Sequence, residues 1–270
     1  MLRGKKIGII GTGNMGRALA RGLIQASVIP PDHLLLADRK AERLTPLVQE
    51  LGAQAYGVET LIPECDVIIL AVKPQDMEAL LQPLQNLFHK EQLFISIAAG
   101  LRTDRLEACF DEDVPVVRVM PNLPVLVRAG ASAYCLGQHA SWPHGVVTSL
   151  LFSAVGLIVE VDESQMDAVT ALSGTGPAYV FLLAEVMSEA GACEGLPSEI
   201  SGYLAVQTIL GAAQMMSDSE KAPAELRAQV TSPGGTTHAA ISSLEDQDFR
   251  QIFYNGLHAA RARSAELSQE

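Results

Sequence analysis

A doubly wound α/β sheet over residues 1–162, followed by an all-helical domain over 163–270, is the fold this sequence predicts. Two observations carry the prediction. Through the first 160 residues short β-rich runs alternate with helical patterns, as in a parallel sheet joined by crossover helices. From Glu163 onward the β-rich runs stop, and alanine, leucine and methionine dominate in longer segments. The chain of 270 residues is 48% hydrophobic, enough for a large core in one long or two ordinary domains.

The first strand, 7–10, runs straight into Gly11-Thr12-Gly13-Asn14-Met15-Gly16. Gly11 permits a tight turn, Gly13 removes the Cβ that would keep the backbone from a pyrophosphate, and Gly16 lets the next helix lie close on the strand. The free N–H groups of that helix start would face the phosphates. Such a motif alone is weak, but here it follows a strand, opens an amphipathic helix (Met15, Leu19, Leu23, Ile24) and precedes a second strand at 34–37. It reads as a dinucleotide cradle. Further strands are expected at 67–71, 93–97, 116–120, 131–136 and 157–161, with helices at 15–26, 41–51, 76–84, 103–109 and 143–155 between them.

The second domain is read as helices at 165–172, 178–190, 198–216, 224–230, 237–244 and 249–267. The stretch 203–216 is apolar almost all round and must be covered on every side. A domain of this size can hardly cover it alone, so helices of a second subunit are expected to do so; the alternative is a central helix buried within one subunit.

Net charge is −12 and uneven: residues 1–162 carry 14 basic and 17 acidic side chains, residues 163–270 carry 5 and 14. Nucleic acid and anionic membrane are therefore not expected partners. The longest apolar stretch, 150–159, is broken by Ser153 and Gly156 and is too short to span a bilayer. Little precedes the first strand, so no secretion signal is expected. Cys65, Cys109, Cys135 and Cys193 form no C-x-x-C pair, which suits a reduced, cytoplasmic protein. The six histidines show no H-E-x-x-H spacing, so no metal is expected. With no G-x-S-x-G elbow and no Walker-type lysine loop, the reactive group must come from the cofactor.

In a doubly wound sheet ligands bind beyond the carboxyl ends of the strands. At the second end, Asp38-Arg39-Lys40, an acid suited to ribose hydroxyls stands beside two cations suited to a 2′-phosphate. With Asp38 free to turn away or cap the next helix, Arg39 and Lys40 favour NADPH, with NADH the alternative. At the next ends Ala71-Val72-Lys73-Pro74 places a cation and a rigid turn, and Ala98-Ala99-Gly100 offers small side chains against which a planar ring could lie. Asn122, in Met120-Pro121-Asn122, adds an amide able to orient a ligand. In the helical half, Val230-Thr231-Ser232-Pro233-Gly234-Gly235-Thr236-Thr237 puts glycines and hydroxyls at a helix start, a compact site for a carboxylate or an ordinary N-cap. Ser173-Gly174-Thr175-Gly176-Pro177-Ala178 breaks the helical pattern in a similar way.

Together these motifs resemble the pyrroline-5-carboxylate reductase family over nearly the whole chain, ending in the signature Pro223-x-x-Leu226-x-x-x-Val230-Thr231-Ser232-Pro233-Gly234-Gly235-Thr236-Thr237. The resemblance implies a Rossmann-type domain, a helical carboxyl-terminal dimerisation domain, and a homodimer that often assembles into a ring of five dimers. It implies hydride transfer from NADPH or NADH to a small cyclic imino acid, with Thr237 beside the ring nitrogen. Gly234, Gly235 and Thr236, with Ser232, would cradle the carboxylate, and Glu220 matches an acid near that site in some members. The chain has Leu123 where the family usually has threonine, and Gln229 where some members have asparagine. Two rivals are another two-domain imine or hydroxyacid oxidoreductase and a noncatalytic NADP-binding sensor. The first generally relies on a lysine in the opening helix of the second domain, and 163–172 contains none. A sensor would have no need of the anion site at Ser232 to Thr237.

Overall fold

The computed structural model describes residues 2–268 and holds one eight-stranded sheet. Its strands are β1 (Ile7–Ile10), β2 (Leu34–Ala37), β3 (Gln54–Ala55), β4 (Val67–Leu70), β5 (Leu93–Ser96), β6 (Val116–Met120), β7 (Gly130–Leu136) and β8 (Gly156–Glu160). They lie in the order β3-β2-β1-β4-β5-β6-β7-β8, so the chain doubles back at β1 and continues outward from β4. β1, β2, β4 and β5 are unbroken apolar or small runs, buried on both faces as parallel strands must be. Alternation sorts their side chains into two cores. Ile7, Ile9, Leu34, Leu36, Ile69 and Ile95 enter one with Leu19 and Leu23, whereas Ile10, Leu35, Ile68, Leu70 and Phe94 enter the other.

The sheet is parallel except at β7, which runs antiparallel to β6. Only residues 121–129 join the two, too few for a crossover, so the chain turns back beside its own strand. β8 then returns parallel to β7 after the helix Trp142–Phe152. The remaining connections carry helices at Asn14–Gln25, Ala41–Leu51, Pro74–Leu81 and Thr103–Glu107, close to the expected positions. β3 went unread because its two residues are exposed and show no apolar signal.

By packing, the described chain forms two compact units. The first runs to Thr175 and takes back the chain from Ala260; the second is Gly176–Ala259. The reason is local bonding: Glu163 pairs with Arg118 of β6, Met166 is fully buried, and Ser264 Oγ donates to Asp167 Oδ1 at 2.7 Å. Residues Thr170–Gly174 form a π-helical turn just before the second unit begins.

The second unit holds the helices Gly176–Cys193, Ser198–Asp218, Pro223–Gln229 and Thr236–Asp246, and the start of Phe249–Leu267. The first two pack on each other where Ser201 Oγ donates to the Ser188 carbonyl at 2.7 Å, against Gly191. Elsewhere their apolar side chains are uncovered: Phe181 is 60% exposed and Tyr203 69%, and Leu182, Val206 and Leu210 are exposed alike. The helical run Glu163–Cys193 is long and apolar enough, by length and composition, to cross a membrane, with 6% of that window buried. This helical run is longer than the stretch 150–159 and carries Asp167, Glu185 and Glu189 among its apolar residues.

Candidate functional site

The ends of β1, β2, β4 and β5 that the sequence singled out come together at the carboxyl ends of the strands. Gly11 N–H donates to the Ala37 carbonyl at 2.8 Å, Ala71 N–H to Ile10 at 2.8 Å, and Ile97 N–H to Leu70 at 3.1 Å, so the loops after β1, β2, β4 and β5 leave side by side. Gly11 holds φ +99°, a left-handed conformation, and a Cβ there would stand 2.6 Å from the Ala71 carbonyl oxygen. A Cβ on Gly16 would collide with the Gly11 carbonyl oxygen. Gly13 is different: nothing lies within 4 Å of where its Cβ would be. That open space faces the start of the helix Asn14–Gln25, which has no side-chain cap, so its first N–H groups are left for an anion. The cradle fits a pyrophosphate.

Asp38 does not point at a ribose site. Its Oδ2 accepts the N–H and hydroxyl of buried Thr12, at 2.6 and 2.9 Å, and its Oδ1 accepts Lys40 N–H at 2.8 Å. Burial opposes its charge, but these donors and nearby Arg43 outweigh burial and hold the carboxyl below its ordinary range. Asp38 thereby fixes the loop, while the side chains of Arg39 and Lys40 stand exposed beside it. Arg39 reaches Asp76 at 3.9 Å, a contact between exposed groups that leaves it free to turn. Lys73 is exposed at the start of the helix Pro74–Leu81, next to Ala71 and Val72.

The loop after β5 is small and tightly seated. Ala98 and Gly100 are buried, Ala99 is exposed, and buried Ser96 accepts Ala98 N–H on its hydroxyl at 3.3 Å. Asn122 is engaged within the fold. Its Nδ2 donates to the Ser173 carbonyl at 3.0 Å and its Oδ1 accepts Ala131 N–H at 2.8 Å. A buried amide flanked by two backbone groups is drawn to satisfy them, so the side chain ties the end of β6 to the start of β7 and to the π-helical turn.

Two residues that the sequence reading missed are Arg118 and Glu163. Arg118, 3% exposed in its side chain, pairs with Glu163. Burial raises the Glu163 carboxyl, yet hydrogen bonds from Thr103 and Arg118 and the guanidinium charge prevail and hold it below its ordinary range. Cys135 Sγ lies 3.5 Å from the same carboxylate, and burial pushes that thiol up to about 12, which makes it inert. The signal available was the lone cation in the strand run Val-Val-Arg-Val-Met.

In the second unit the predicted anion site is a tight turn. Gly235 N–H donates to the Ser232 carbonyl at 3.0 Å, Gly234 holds φ +72°, and a Cβ on Gly235 would meet Ser232 Oγ at 2.6 Å. The helix Thr236–Asp246 starts from Gly235 with no side-chain cap. Thr236 N–H and Thr237 N–H thus stand at an uncapped positive helix end, with Ser232 and Thr236 exposed and Thr237 half-buried. Thr231 is occupied elsewhere, its hydroxyl donating to the Arg227 carbonyl at 2.7 Å. Glu220 is exposed in the loop between Ser198–Asp218 and Pro223–Gln229, and Gln229 closes the latter helix.

Comparison with known proteins adds the following. Residues 163–267 match the pyrroline-5-carboxylate reductase dimerisation family, and residues 6–100 match the family described as NADP oxidoreductase, coenzyme F420-dependent. The chain is 43% identical over 267 residues to a pyrroline-5-carboxylate reductase of Pseudomonas aeruginosa, covering 98% of this chain and 97% of that one. It is 40% identical to the Arabidopsis thaliana enzyme of the same name, over 98% and 96%. The structure of a pyrroline-5-carboxylate reductase from Coxiella burnetii superposes with a TM-score of 0.93 at 36% identity, covering 98% of each chain. The Plasmodium falciparum pyrroline carboxylate reductase, solved with NADP bound, superposes with a TM-score of 0.86 at 33% identity, again over 98% of each chain.

Gly13 and Gly16 should separate in a mutational test. Gly13→Ala is expected to keep the wild-type melting temperature and weaken NADPH binding about tenfold or more, since its methyl fills only the space over the helix start. Gly16→Ala is expected to lower the melting temperature, since its methyl strikes backbone. Fluorescence titration with NADPH beside thermal melts checks both, and an unchanged dissociation constant for Gly13→Ala would remove the cradle.

Proposed function

The chain belongs to the pyrroline-5-carboxylate reductase family, and from that premise we propose which of its residues perform the reaction. It is an NAD(P)H-dependent reductase that converts 1-pyrroline-5-carboxylate to proline, the last step of proline biosynthesis. The observation that carries the residue assignment is the pairing, on one chain, of an open glycine cradle and a second uncapped helix start at Gly235. The first suits a pyrophosphate, the second a small carboxylate.

Gly11, Thr12, Gly13, Asn14, Met15 and Gly16 hold the pyrophosphate, with Arg39 and Lys40 on the 2′-phosphate. Ala71, Val72, Lys73 and Pro74 border the cofactor, and Ala98, Ala99 and Gly100 seat the nicotinamide. A bound reduced nicotinamide supplies the hydride. Ser232, Gly234, Gly235 and Thr236 hold the substrate carboxylate through hydroxyl and backbone N–H donors, with Glu220 near them, and so fix which face of the imine is presented. The Thr237 hydroxyl donates to the imine nitrogen, making the neighbouring carbon more electrophilic as charge moves onto nitrogen. A hydroxyl is a poor acid, so Thr237 orients or relays a proton rather than generating one.

The protein is a homo-oligomer. The dimer is its smallest complete form, because a second copy covers the apolar faces left open on Gly176–Cys193 and Ser198–Asp218. On this reading the run Glu163–Cys193 meets protein rather than lipid, and further assembly into five dimers follows the family pattern. Four free thiols, two of them buried, suit the cytoplasm.

Loss of NADPH absorbance on adding pyrroline-5-carboxylate to the purified chain, with proline formed in equal amount, tests the activity directly; no turnover would refute it. Replacing Arg39 and Lys40 together with alanine should raise the Michaelis constant for NADPH much more than that for NADH. Equal changes would mean that these side chains are merely solvated. Thr237→Val should leave the fold and NADPH binding intact and lower kcat/KM roughly ten- to hundredfold, the worth of one directed donor. Wild-type kinetics in Thr237→Val would transfer the proton donor to water or to the substrate's own iminium form.

A further inference from the structure

Glu163 is the most heavily engaged acid of the sheet unit outside the cradle. Its Oε1 pairs with Arg118, and its Oε2 accepts both the N–H and the hydroxyl of Thr103, at 3.2 and 2.6 Å. Arg118 lies in the middle of β6, and its Nη2 is buried without a hydrogen-bond partner. Charge buried this way is poor value for stability alone, because a well-packed apolar pair serves as well or better. The arrangement does have a geometric consequence. Thr103 begins the helix Thr103–Glu107, whose N-cap residue Arg102 makes no side-chain cap; Glu163 supplies that acceptor from another part of the chain.

Residues 97–102 are therefore held at both ends. Ile97 N–H is fixed to the Leu70 carbonyl on the sheet, and Thr103 is fixed to Glu163. The last turn of the helix Phe249–Leu267 lies beside the loop, the Leu267 carbonyl oxygen standing 3.4 Å from where a Gly100 Cβ would be. The hydrogen bond from Ser264 to Asp167 fastens that turn to the segment that carries Glu163. The loop gripped by these contacts is Ala98-Ala99-Gly100.

We infer that Glu163, held by Arg118, is a positioning residue for the cofactor: through Thr103 it sets the place of the Ala98–Gly100 loop against which the nicotinamide ring lies. This rests on the reading of that loop as the nicotinamide seat. The adenosine end of the cofactor, near Arg39 and Lys40, is untouched by these bonds. The two ends of one ligand should thus respond differently.

The test compares NADPH with 2′-phospho-ADP-ribose, which lacks the nicotinamide, by calorimetric or fluorescence titration of the full-length protein. Glu163→Gln is expected to weaken NADPH about tenfold while leaving the fragment's affinity unchanged, the loss expected when a seated group is misplaced. Thr103→Val, which leaves the Arg118 pair intact, should move NADPH in the same direction and spare the fragment. It decides the matter should Glu163→Gln not fold. Equal loss of both ligands in these variants, or no loss of NADPH in Thr103→Val, would overturn the inference. Ala99→Leu checks the underlying reading: unchanged NADPH affinity there would remove the nicotinamide seat, and the inference with it. NADPH weakened by Ala99→Leu but not by Thr103→Val would keep the seat and reject only Glu163.

Discussion

The apolar surface that the helical unit cannot cover by itself is the constraint on which the rest of the protein depends. A helix apolar all round is stable in water only when enclosed. Of the long helix Ser198–Asp218 only Ser201 and Ala205 are buried, and Gly176–Cys193 buries nothing fully. The turn from Ser232 to Thr237 belongs to this same unit. Enclosure by a second copy would thereby bear on this turn as well as on the fold of the unit.

The sheet unit meets its own constraint without help. The loops after β1, β2, β4 and β5 leave together from the carboxyl ends of the strands, and close backbone contact at Gly11 and Gly16 contrasts with the open space at Gly13. Asp38 illustrates how charge is used there. Bound by Thr12 and Lys40, it shapes the loop, with Arg39 and Lys40 exposed beside it.

Much of this was legible in the residues. Unbroken apolar runs such as 67–70 and the glycine spacing after β1 reflect local requirements, which a sequence displays directly. The antiparallel strand β7 was not legible as such, since a strand's direction depends on the length of chain that precedes it. For Asn122 the sequence could not show its bond to the Ser173 carbonyl, because an amide at a strand end looks the same whether it meets a ligand or backbone. The join between Arg118 and Glu163 spans 45 positions, and no local pattern announces it beyond a cation in an apolar strand. The division of the units after Thr175 was hidden for a related reason, because composition changes at Asp162 while bonding does not.

A requirement for enclosure is most directly tested by following mass and turnover on the same sample as the protein is diluted. Light scattering and NADPH oxidation should fall together, with every active species at least twice the 28.8 kDa chain mass and the dissociated chain inactive and poorly folded. A stable, fully active species of single-chain mass would contradict it.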